Sequence, residues 1–149
     1  MRVAEYWRRS NLSIAMTPSP PPAQPDRLIM VYNAEDGLFN AINDWAHKFF
    51  SPETYDCRLC HFTYGLAGML KPWKAFLERQ PFPTMFYHRP DFRRAFPEFA
   101  DMKLPLILVE QGGRAEILLT AAEIAESGGL EPLTALVQSR LVTWSATPP

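Results

Sequence analysis

The chain has 149 residues, 47% of them apolar and 21% charged, and its fifteen basic and sixteen acidic side chains leave a formal net charge of −1. That length suits one globular domain with a hydrophobic core of its own. The near-neutral balance argues against a phosphate-neutralising, nucleic-acid-binding stripe, and no apolar run reaches the roughly eighteen residues of a membrane span.

In chain order, Arg2, Arg8 and Arg9 are followed only by a weakly apolar stretch, Leu12 to Met16, before Pro18. A secretory signal needs about seven to fifteen apolar residues. The expected location is therefore cytoplasmic, where structural disulfides are rare. Residues 17–25 carry five prolines in nine positions, which favours an extended, solvated polyproline conformation. Residues 1–26 are expected to form a flexible leader, with Met16 a second candidate start. A docking peptide for a proline-reading module is the alternative reading.

The domain is expected over 27–145. Leu28 to Tyr32 is a short continuous apolar run, the pattern of a strand buried on both faces. Leu38, Ile42, Trp45 and Phe49 recur at helical spacing and predict an amphipathic helix, opened by Glu35 and Asp36 and ended by Ser51 and Pro52. A loop with Cys57 and Cys60 leads into a second helical stretch, Tyr64 to Gln80, which Pro72 either kinks or restarts. Thr84 to His88 reads as a strand, Asp91 to Phe99 as a short helix, and Leu106 to Val109 as a third strand. Gly112 and Gly113 suit a hairpin turn back into Glu116 to Leu119. Thr120 and Glu123 form a capping-box pattern for the next helix, Gly128 and Gly129 break it, and Pro132 opens the last. Trp45, Trp73, Phe76, Phe82, Phe86 and Tyr87 are expected in the core. The order β-α-α-β-α-β-β-α implies a mixed α/β fold, a four-stranded sheet with helices on both faces.

The chain's two cysteines are Cys57 and Cys60. At a helix start, the first sulfur of Cys-x-x-Cys faces unpaired N–H groups that favour its thiolate, and the second can close a disulfide with it. Arg58 adds to that effect and Asp56 opposes it. With Leu104-Pro105 opening the third strand, this arrangement resembles the thioredoxin-like superfamily over about residues 27–142, with a glutaredoxin-like ending. The resemblance implies a nucleophilic Cys57, a resolving Cys60, and a cis bond between Leu104 and Pro105 that presents substrate-binding backbone to them. It also implies protein or small-thiol disulfides as substrates, with no cofactor. The helix between the first strand and the cysteines is an insertion relative to that family. The string from His47 through Cys57-x-x-Cys60 to Gly65 is also similar to a group of small bacterial proteins, a likeness that carries no function.

Other readings of the same residues stay open. His47, Cys57, Cys60 and His61 are donors of the kind that tetrahedral zinc or another transition metal takes. Cys57-x-x-Cys60-His61 is also the haem-attachment string, which belongs to exported proteins. The cysteines could equally be inert in a non-catalytic binding module. Gly65-x-x-Gly68 lacks the lysine and the preceding strand of a phosphate loop.

Overall fold

A computed structural model describes residues 21–35, 57–65 and 67–147. The expected helix over Leu38 to Phe50 lies outside the described residues, as do residues 1–20.

Strand β1 (Arg27–Val31) is followed by helix α1 (Arg58–Thr63), a small ribbon of β2 (Tyr64–Gly65) and β3 (Gly68–Met69), and helix α2 (Lys71–Glu78). Next come β4 (Thr84–Tyr87), α3 (Arg89–Ala95) and a 3-10 turn (Pro97–Phe99). The chain closes with β5 (Leu106–Gln111), β6 (Arg114–Leu119), α4 (Ala121–Ser127) and α5 (Leu130–Ala146). The main sheet has the order β4-β1-β5-β6. Strand β1 runs parallel to β4 and antiparallel to β5, and β5 runs antiparallel to β6. The mixed four-stranded sheet expected from the element order is present.

The helical stretch expected over Tyr64 to Gln80 is corrected in its first third. Tyr64 is already extended, and Gly68 takes φ +106 at the turn of the β2–β3 ribbon. A side chain rarely adopts that conformation, so the sequence breaks here rather than bending. A new helix starts with Lys71 and Pro72 in its first turn, where the missing proline N–H leaves no gap. In the β5–β6 turn, Gly112 and Gly113 take φ +58 and +76, the pair of positive values that a tight hairpin requires.

Period-two alternation splits β1 and β5 between two cores. Leu28, Met30 and Tyr32 join Ile107 and Val109 on one face, under Trp73, Phe76 and Leu77 of α2 and Leu133, Val137 and Leu141 of α5. Those helical residues recur at three- and four-residue spacing, which builds one apolar stripe per helix. Ile29, Val31, Leu106 and Leu108 face the other way, against Phe92, Phe96 and Leu104. The expected core placement holds for Trp73 and Phe76. Phe86 departs from it at 40% exposure, because β4 is an edge strand. Trp45 lies outside the described residues.

The capping box is complete at α4. Thr120 Oγ1 accepts from Glu123 N–H, and Glu123 Oε2 accepts from Thr120 N–H at 2.9 Å. These bonds from Thr120, with the Arg140 guanidinium beside them, hold the Glu123 carboxyl below its ordinary range against a smaller opposing effect of burial. Thr120→Ala is expected to lower stability by about 1 kcal/mol in urea denaturation at neutral pH, whereas Thr120→Ser retains most of it. Because the carboxyl is depressed, its share of the cap is present above the ordinary glutamate range and lost as pH falls through the folded value.

Candidate active site

Cys57 is the N-cap of α1, and the Cys60 N–H donates to its sulfur at 3.3 Å. The next N–H, from His61, donates to the Cys57 carbonyl at 3.1 Å and starts the helix. This turn carries both sulfurs to one side, and Cys57 and Cys60 form a disulfide with Cα atoms 5.2 Å apart. One helical turn sets that Cα separation, which falls inside the range a disulfide can span.

The disulfide is enclosed. Cys57 is 0% exposed and Cys60 2% exposed, both in the core that contains Tyr32, Leu59 and Trp73. Helix α1 packs against α4 and α5. Arg58 and His61 sit on its exposed side.

A phenol pair, Tyr32 buried and Tyr64 half-buried, adjoins the end of α1, and the sequence reading missed it. The Tyr32 and Tyr64 rings meet edge to face with centroids 5.6 Å apart. Burial pushes the Tyr32 hydroxyl well above the ordinary tyrosine range. The neighbouring Tyr64 adds to this, and a hydrogen bond with Thr63 opposes it. Burial also raises Tyr64. Thr63 is itself buried, and its Oγ1 donates to the Leu59 carbonyl at 2.6 Å. The signal in the sequence was slight: Tyr32 reads as the last residue of an apolar run.

The structure brings together Cys57 and Cys60 but not every candidate. Leu104 packs with Phe92 and Phe96 in the opposite core. The Leu104–Pro105 bond is cis, as the sequence reading expected, and Pro105 is buried directly before β5. His47 lies outside the described residues. Among the described residues, no group of three or more His, Cys, Asp and Glu is placed to hold a metal ion. Glu35, expected at a helix start, is bonded to Arg89 Nη1 at 2.6 Å, and Arg89 Nε donates to Asn33 Oδ1 at 3.1 Å. These bonds tie the chain leaving β1 to the start of α3.

Beyond the phenol pair, Phe86 stacks on Tyr32 with ring centroids 6.2 Å apart. Phe86, Phe82, Met69 and Leu77 line an open groove of about 820 Å³, with Lys74 and Glu78 along it. Phe86 thus connects the lining of the groove to the Tyr32–Tyr64 pair. None of the described helices is long and apolar enough to cross a membrane. No protein-family model, no curated protein and no solved structure matches this chain.

Proposed function

We propose that the chain is a thioredoxin-like thiol–disulfide oxidoreductase, working in the cytoplasm on protein or small-thiol disulfides through Cys57 and Cys60. The observation that carries this reading is the Cys57–Cys60 disulfide at the start of α1, with a backbone N–H donating to the Cys57 sulfur. A backbone N–H aimed at the sulfur in this way stabilises a thiolate over a thiol once the bond is reduced. The sheet order and the parallel β1–β4 pair support the thioredoxin-like assignment.

In the reduced protein the Cys57 thiolate attacks a substrate disulfide, forms a mixed disulfide and expels one substrate thiolate. The Cys60 thiolate then attacks the Cys57 sulfur. The second substrate thiolate leaves, and the two electrons have passed from the dithiol to the substrate. A thiol reductant resets the Cys57–Cys60 disulfide. Pro105 and the Leu104 backbone are assigned to substrate binding.

The burial of both sulfurs favours a second reading, a binding domain in which the disulfide is inert. Insulin reduction driven by dithiothreitol separates the two. The redox reading expects wild type to accelerate the reaction and Cys57→Ser to fall to the uncatalysed background. Equal rates for the two proteins would overturn it and leave the inert disulfide.

A further inference from the structure

We propose that the free edge of β4 is the interface of a homodimer, in which a second copy of this chain continues the sheet by antiparallel β4–β4 pairing about a two-fold axis. Among the described residues, β4 is paired on one side only. Leu28 N–H donates to the Pro83 carbonyl and Tyr32 N–H to the Tyr87 carbonyl, each at 2.9 Å. In a parallel ladder, alternate residues turn to the partner strand. Residues 83, 85 and 87 thus face β1, and Thr84 and Phe86 turn their backbone N–H and C=O to the open edge. Such a row is a ready template for another strand.

Edge strands are normally blunted with charge. The other edge of this sheet, β6, carries Arg114 and Glu116, and Glu116 accepts from Trp144 Nε1 at 3.0 Å. Strand β4 has no charged residue between Thr84 and Tyr87. It bears instead two large apolar side chains, Met85 and Phe86, each 40% exposed on opposite faces. Thr84 Oγ1 is buried at the same edge with no hydrogen-bond partner among the described residues.

Charge complementarity selects a second copy as the occupant. Lys74 and Glu78 lie one turn apart along the groove, 64% and 66% exposed, and their 3.8 Å pairing is loose. One charge of each sign at this spacing is its own complement. A two-fold axis runs the two α2 helices antiparallel on one face and sets Lys74 of each copy toward Glu78 of the other. With the axis at Met85, Thr84 and Phe86 of one copy exchange backbone hydrogen bonds with Phe86 and Thr84 of the second. The same axis sets the two Met85 side chains against each other.

Sedimentation equilibrium of the full chain over a dilution series tests this. Wild type is expected at twice the single-chain mass, dissociating on dilution, and Phe86→Lys at the single-chain mass. Lys74→Glu on the exposed rim should weaken the dimer by about tenfold or more, and adding Glu78→Lys should restore it. Both rim positions are solvent-exposed, so these variants keep the test sound if Phe86→Lys fails to fold. Wild type at single-chain mass throughout would overturn the proposal. So would a dimer that the rim charge reversal leaves unchanged.

Discussion

Trp73→Ala should lower the free energy of unfolding by about 3–5 kcal/mol, a large share of the roughly 5–15 kcal/mol that holds a domain of this size. Trp73 is fully buried, stacks on Phe76 with centroids 5.4 Å apart, and shares the core of the disulfide and the β1 face. Removing the indole leaves a void that Leu28, Met30 and the α5 stripe cannot close without moving the helix. Trp73→Phe should be much milder, below about 2 kcal/mol, because an aromatic ring remains. Among the described residues the indole Nε1 has no hydrogen-bond partner, so phenylalanine forfeits no bond to them. Urea denaturation reads both variants as shifts in midpoint at constant slope. A loss under about 1 kcal/mol for Trp73→Ala would show that α2 does not seal this core.

Stability should also fall steeply in alkali, and Tyr32 should account for much of the fall. An unfolded tyrosine loses its proton near pH 10. Burial holds the folded Tyr32 hydroxyl protonated well above that. Between those two values the unfolded state binds fewer protons, so stability declines as pH rises, by up to about 1.4 kcal/mol per pH unit for one such group. Below the unfolded value the contribution is complete. Tyr32→Phe keeps the ring and removes only the buried hydroxyl, so at pH 7 its stability should differ from wild type by no more than about 1 kcal/mol. Its curve above pH 10 should be flatter, so the difference shifts in the variant's favour. Parallel curves for the two proteins between pH 9 and about pH 11.5 would sink this account.

Features that depend on nearest neighbours in sequence were legible in this chain. Alternation and apolar runs located β1, β4, β5 and β6, Gly112-Gly113 announced the hairpin, and Thr120 with Glu123 announced the cap. The helical extent around the cysteines was not legible, because the apolar spacing from Tyr64 onward fits a helix until Gly68 takes its positive φ. The position of β4 was hidden for another reason. Thr84 to Tyr87 reads like a core strand, and exposure of Phe86 follows only from its place at the end of the sheet order. At the site, spacing pointed to Cys57 and Cys60 as a pair. It could not show that both sulfurs sit under a core, or that Tyr32 and Tyr64 meet beside them across the fold.

Strand β1 is hydrogen-bonded along both edges, and Leu28, Ile29, Met30 and Val31 are each 0% exposed between two cores. Its amides alternate between neighbours, so Leu28, Met30 and Tyr32 donate toward the edge strand β4, whereas Ile29 and Val31 donate toward the interior strand β5, where opening of one sheet edge cannot bring deuterium to them. Exchange at Ile29 and Val31 should therefore proceed only through complete unfolding, with a protection factor that equals the denaturation equilibrium. Slowing of those amides, followed by mass spectrometry or nuclear magnetic resonance, then measures the stability of the whole domain without denaturant. Amides at Ala121 to Glu123, in the first turn of the short α4, should exchange by local fraying instead. If Val31 exchanged as fast as Glu123, the sheet would be opening at its centre, and both cores would have to be transient.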